Sequence, residues 1–223
     1  IRYRLYLFPR YTKGLQIMDL KHNVWFFKNA LDKEWCNNLI KKHTKNMRKK
    51  GKVGGDGSKI SASESKKQRN SNIRFINVKE VYDTLNRYLD LANKNAGWNF
   101  NVDWSEQLQF TKYGKGQYYD WHIDMFCDPY TNHKNPQFEG KIRKISCSVL
   151  LNDPSEYEGG DLEIGYSNKH RTPLSKNKVN LKQCNLGQGS IIFFPAFVWH
   201  RVTPVTKGTR YSIVMWTIGP PYV

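Results

Sequence analysis

Apolar positions change their period part-way along the chain. Up to Asn95 the longer patterns recur at helical spacing; beyond Asn99 they shorten into strand-like runs. Val24-Trp25-Phe26-Phe27 reads as a strand. A helix follows, with Asp32 as its N-cap, because an aspartate there can accept from the unpaired amides of a first turn. Leu31, Trp35, Leu39 and Ile40 share one stripe of that helix. A second helix runs from Glu80 to Asn95, burying Val81, Leu85, Leu89 and Ala92 and stopping at Gly97. Between the helices, Gly51 to Asn70 is rich in Gly, Ser and Lys with no apolar period, and reads as an exposed, mobile loop.

The second texture consists of short β-type runs: Leu108 to Tyr113, Gln117 to Asp124, Lys144 to Leu151, Leu162 to Tyr166, Ser190 to Pro195, Trp199 to Val205 and Tyr211 to Ile218. Turn residues such as Gly114, Gly116, Asn152-Asp153-Pro154, Gly159-Gly160 and Gly187 separate them. Many short strands with such turns predict a sandwich or barrel. No internal repeat is evident. The expected organisation is a single domain over 1–223, with helical support at about 24–98 and a β core at about 104–220.

Aromatic residues make up 14% of the chain, which excludes disorder by composition. No apolar run reaches membrane-spanning length. Cys36, Cys127, Cys147 and Cys184 form no CxxC pair, so they read as reduced thiols of a cytoplasm. The net charge of +17 implies attraction to an anionic partner, nucleic acid or acidic protein alike. Two patches carry much of it: Lys41 to Lys52, and Lys66, Lys67 and Arg69. Charge speaks to association and leaves the chemistry open.

The chemistry enters with His122-Ile123-Asp124. On a strand both polar side chains leave by one face, offering an imidazole and a carboxylate to neighbouring positions of one metal. The pair alone is weak, since such a short match arises by chance. His200, after the apolar run Ser190 to Pro195, supplies a third ligand; His22, His43, His133 and His170 sit in polar or helical surroundings. Two imidazoles and a carboxylate on one face of a metal leave three positions open, the arrangement of non-haem iron(II) oxygenases. In the last strand Arg210, Ser212, Val214 and Trp216 share a face. An arginine pointing into an apolar barrel is costly unless an anion pairs with it, and a dicarboxylate held by its planar fork would be that anion.

Together these residues resemble a known family. Tyr113, Gly116, Tyr119, His122 and Asp124 spell Y-x-x-G-x-x-Y-x-x-H-x-D. That stretch is similar to the metal-binding segment of prolyl 4-hydroxylase-like 2-oxoglutarate oxygenases, and in particular to the bacterial and phage PKHD-type hydroxylases. Leu151 to Pro154, Tyr157 to Leu162, Pro195 to Val205 and Gly208 to Ser212 resemble its later motifs. The resemblance is strong over Trp104 to Pro220 and looser over Phe27 to Leu39 and Ala92-Asn93.

The resemblance implies an α+β, mainly β protein: a double-stranded β-helix (jelly-roll) core with N-terminal supporting helices. It implies Fe(II) on His122, Asp124 and His200, with 2-oxoglutarate and O₂ as co-substrates and ascorbate as a further requirement. Tyr113, Leu150, Leu162, Val202, Arg210, Ser212 and Trp216 fall on co-substrate positions, and Tyr119 and Trp121 stand where a substrate would be covered. Arg210 stands where many collagen-type enzymes carry lysine, and Leu150 replaces an aromatic position of the oxygen-sensing branch. Asp124 argues for hydroxylation over halogenation. The implied reaction is hydroxylation of a C–H bond, most simply of a peptidyl proline, in the cytoplasm, of a bacterial host if the gene is phage-borne. Oxidation of a nucleic acid or small metabolite, or a non-catalytic jelly-roll binding module, are the competing classes. The long connection Met125 to Lys144 is expected to act as a lid over the site.

Overall fold

The computed structural model describes residues 22–45, 47, 50–51, 67–126, 128–165 and 178–222. Two helices form where the apolar stripes place them. The first, α1 (Lys33–Thr44), opens on Asp32, whose carboxylate accepts from the Trp35 amide at 2.9 Å. Glu34 in its first turn and Lys41 and Lys42 in its last suit the helix dipole. The second, α2 (Lys79–Asn95), buries Val81, Leu85, Leu89 and Ala92, and Gly97 follows it at a φ of 73°. The Asn93 side chain bonds both the amide and the carbonyl of Phe100, fixing the exit from α2.

The rest is antiparallel sheet. In the larger one, β1 (Trp25–Phe27), β11 (Ile191–Pro195), β7 (Ile142–Leu150), β14 (Arg210–Gly219), β5 (Leu108–Tyr113) and β3 (Asn72–Ile76) lie side by side, with β4 (Trp104–Ser105) against the end of β14. The smaller one orders β10 (Lys178–Asn180), β9 (Leu162–Gly165), β12 (Trp199–Val202), β6 (Tyr118–His122) and β2 (Arg69–Asn70). A short ribbon joins β13 (Val205–Gly208) to β8 (Tyr157–Gly159). Few helices against two antiparallel sheets make the molecule mainly β.

Strand alternation sorts side chains into two cores. Outward residues of the larger sheet, among them Phe110, Ile145, Val149, Ile213 and Met215, pack with Cys36, Leu39, Leu85 and Leu89 of the helices. Inward residues, including Tyr113, Leu150 and Phe194, meet Leu162, Ile164 and Val202 of the smaller sheet, with Val205 of β13 beside them. Gly189 closes the turn before β11 at a φ of 80°, where any Cβ would collide with the Leu31 carbonyl; only glycine fits.

Three expectations change. Most of the segment expected to be a mobile loop, 52–66, lies outside the described residues, but its end, Arg69–Asn70, is a strand paired with β6. Arg69 is therefore no surface cation; it is 5% exposed. The run Trp199 to Val205 divides into β12 and β13, because Thr203-Pro204 turns the chain and β13 pairs with β8 instead. No helix among the described residues is long and apolar enough to cross a membrane.

Candidate metal centre

The site lies between the two sheets. Antiparallel β6 and β12 place His122 and His200 directly opposite one another. Strand β6 ends at His122, so Asp124 sits in the turn that follows, where Ala196's carbonyl accepts from both its amide and that of Met125. The turn, more than strand alternation, brings the carboxylate inward. Ligand atoms of His122, Asp124 and His200 all lie within 4.8 Å of one another, and all three residues are buried. His122 Nε2 stands 3.7 Å from Asp124 Oδ1, and His200 Nε2 3.4 Å from Asp124 Oδ2.

Backbone carbonyls decide which ring nitrogen faces the centre. His122 Nδ1 lies 2.7 Å from the Asp120 carbonyl and His200 Nδ1 3.0 Å from that of Val198. A carbonyl can only accept, so each Nδ1 carries the proton and each Nε2 presents its lone pair. Burial, then the neighbouring His200, hold His122 well below the usual histidine range, which keeps it neutral and able to ligate. Burial alone would raise Asp124, but His200, His122 and Arg143 outweigh it and hold the carboxyl below its ordinary range.

Several supports were not visible in the sequence. Ser146 Oγ donates to Asp124 Oδ2 at 2.7 Å. Arg143 donates to the Asp124 carbonyl at 3.3 Å and forks onto Glu106 at 2.6 and 2.7 Å. Its guanidinium lies between the rings of Phe126 and Trp216, and the Tyr130 hydroxyl donates to Glu106. The only sequence signal was the alternation of Ser146 and Ser148 within an apolar run. Tyr119 stacks on His122 with centroids 3.5 Å apart, and Arg69 covers the far face of Tyr119.

Arg210 is 1% exposed, opposite Tyr113 on the neighbouring strand. Its Nη1 donates to Ser212 Oγ at 3.0 Å, while Nε and Nη2 are buried with no partner, as is Trp216 Nε1. Buried donors left unsatisfied are costly, so their convergence marks a place for an anion. The donor set thus fits a divalent metal beside a carboxylate-bearing ligand.

Tyr113, Tyr119, Leu162, Val202, Arg210, Ser212 and Trp216 line one cavity with the histidines and Asp124. Leu150 lies beyond Arg210, in a neighbouring cavity. Trp121 is not brought in: next to inward His122 it points outward, its ring over Gly165 and under Arg201, while the extra residue opposite Arg201 turns Tyr119 inward beside His122. Of the other histidines, His43 packs on Phe110 and His133 on Phe138, while His170 lies outside the described residues. The connection Met125 to Lys144 is internally packed, with Tyr130 edge-on to Phe126 and Phe138 and bonded through its backbone to Gly140 and Lys141.

Two imidazoles and one carboxylate on one side of a buried point, with an anion-seeking arginine across the cavity, define a non-haem iron oxygenase type of site. Comparison with known proteins agrees. Residues 108–218 match the family model of the 2OG-Fe(II) oxygenase superfamily, so the β core belongs to that superfamily. A PKHD-type hydroxylase of Pseudoalteromonas atlantica is 31% identical over 109 residues, 48% of this chain and 41% of that protein. A second, from Rhizorhabdus wittichii, is 34% identical over 108 residues, covering 48% and 40%. The chain thus spans about two fifths of the length of these curated relatives. Among solved structures, the viral collagen prolyl hydroxylase of Paramecium Bursaria Chlorella virus-1 in complex with 2OG aligns over 89% of this chain and 97% of its own, at a TM-score of 0.57 and 20% identity. A Trichoplax adhaerens prolyl hydroxylase, solved with a hypoxia inducible factor peptide fragment, aligns over 87% and 83% at a TM-score of 0.60 and 17% identity. At such identities these likenesses speak to the jelly-roll fold.

Proposed function

We propose that the protein is an Fe(II)- and 2-oxoglutarate-dependent dioxygenase that hydroxylates a C–H bond of a peptidyl proline. The observation that carries this reading is the buried convergence of His122 Nε2, Asp124 and His200 Nε2 beside the unpaired donors of Arg210. The helical segment and the β core act as one catalytic domain.

His122, Asp124 and His200 would hold the metal by three adjacent positions. Ser146 and the Arg143–Glu106 pair orient the carboxylate, and the Asp120 and Val198 carbonyls orient the rings. Arg210 takes the far carboxylate of 2-oxoglutarate, with Ser212 fixing the plane of its guanidinium and Tyr113 and Trp216 as wall and donors. Leu162 and Val202 exclude water from the space between. When bound, the metal and co-substrate supply the oxygen activation that cleaves an unactivated C–H bond. Overall, substrate, 2-oxoglutarate and O₂ yield hydroxylated substrate, succinate and CO₂. Tyr119, half-exposed and pushed by burial to a pKa of about 12, stays neutral and offers a ring against which a prolyl side chain packs.

The peptidyl substrate is supported by two structural neighbours that are prolyl hydroxylases and by the peptide carried by one of them. The net charge of +17 keeps nucleic acid in view. The test is succinate release and a one-oxygen mass gain from prolyl peptides, set beside alkylated single-stranded DNA and RNA, with ascorbate varied. Oxidised peptide is expected. Oxidised nucleic acid with inert peptides would reverse the substrate assignment.

A further inference from the structure

The cavity that holds the metal-binding residues is small, about 40 Å³, with room for only a few waters. On the far side of Arg210 lies a second cavity of about 370 Å³. Leu162 and Arg210 line both and form the partition between them. The second cavity runs from exposed Asn29 and Asn185 at its outer end to fully buried Arg210 at its inner end. Leu150, Leu181, Leu186 and Ile192 are buried along it, and Asn29, Asp153, Tyr157, Asp161 and Asn185 complete its polar lining. The two unpartnered donors of Arg210, Nε and Nη2, belong to the side chain that closes this inner end.

We propose that this second cavity is the passage by which the dicarboxylate co-substrate enters and its shortened product leaves, past Arg210, while a peptide occupies the metal side. The inference rests on the oxygenase reading above and adds a route that the reading does not require. A 2-oxo dicarboxylate arriving this way leads with its oxo-acid end toward His122, Asp124 and His200. Its trailing carboxylate comes to rest on the Arg210 donors, so no reversal is needed inside the protein. The buried leucines and Ile192 give a doubly charged ligand nowhere to settle short of Arg210, which makes the cavity a conduit. The two lining acids repel a dianion but are partly offset by their partners: Asp153 accepts from Ser155 and lies 3.9 Å from Lys33, and Asp161 accepts from Asn180. Rotation of the Leu162 and Arg210 side chains opens the partition. The half-exposed residues of the metal cavity, Tyr119 and Val214, mark the other mouth, left to the substrate.

Leu186 lines the second cavity and not the metal cavity, and it is none of the residues placed at the metal or the co-substrate. Blocking a route slows entry and exit by the same factor and leaves the equilibrium unchanged. The experiment is stopped-flow tryptophan fluorescence of anaerobic, Fe(II)-loaded protein mixed with 2-oxoglutarate, with Kd measured by calorimetry. Leu186→Trp is expected to slow association and dissociation each by about tenfold at unchanged Kd, and Leu186→Ala to accelerate both. If Leu186→Trp does not fold, the acceleration in Leu186→Ala carries the test. Wild-type binding with rates unchanged in the folded variants would overturn the passage alone. No binding of 2-oxoglutarate to the wild type would overturn the oxygenase reading and the passage with it.

Discussion

Asp124 is the residue on which the site turns, and it is held by groups far from it in sequence. Ser146 Oγ satisfies one carboxylate oxygen, leaving the other to a metal. Removing a partner of this kind lowers metal affinity by about tenfold or more. We therefore expect Ser146→Ala to weaken Fe(II) binding by that factor in anaerobic calorimetry, with Ser146→Thr recovering part of it. Arg210→Ala is expected to raise the 2-oxoglutarate requirement by about 100-fold, the loss of a charge-assisted bidentate contact, while metal affinity stays as in the wild type. Equal co-substrate affinity in that variant would remove Arg210 from its role. The arginine was legible in the sequence because strand alternation put it among inward apolar neighbours. Trp121 points away from the cavity because it neighbours inward His122, and Tyr119 faces inward only because a β-bulge breaks the alternation between them. Ser146, Arg143 and Glu106 were not legible, because what they contact is set by tertiary pairing and not by period.

At the scale of elements, periodicity served well where a single face is buried. The four residues predicted for the inner face of α2 are all buried, and Leu108–Tyr113 has the expected bounds. Leu85 is fully buried against the outer face of the larger sheet, so Leu85→Ala should cost about 3 kcal/mol in chemical unfolding. Because α2 packs on the face opposite the metal cavity, metal affinity per folded molecule should not change. Helix α1 carries a buried histidine whose role the sequence did not suggest. His43 packs at a tilt against Phe110, and burial, with Lys42 and Arg74 adding to it, holds its pKa below the ordinary 6.5. The unfolded chain then takes up a proton that the folded one refuses, so stability falls as pH drops below 6.5. His43→Phe should flatten that part of the profile in thermal unfolding measured between neutral and mildly acid pH; an unchanged slope would contradict it. Strand ends were less legible, since Thr203-Pro204 moves the chain from one partner strand to another without leaving the apolar pattern.

Over the whole molecule, chemistry and association lie on different surfaces. The metal cavity lies between the sheets, while Lys41, Lys42 and Lys45 of the basic patch stand exposed on and beside α1. Charges this exposed are screened within about 10 Å at 0.1 M salt, so an acidic partner held by them should bind less tightly as salt rises, with Fe(II) affinity unmoved. The class of fold and the order of the ligands could be read from the sequence because three ligands and an arginine recur in fixed order. The sheet partners could not, since pairing across the molecule leaves no local period. The most direct test of the central claim is anomalous scattering from crystals grown without oxygen in Fe(II) and 2-oxoglutarate. One metal peak is expected, in coordination contact with His122 Nε2, the Asp124 carboxylate and His200 Nε2, with the co-substrate's far carboxylate on Arg210. A metal bound elsewhere, with these three side chains apart from it, would contradict the account.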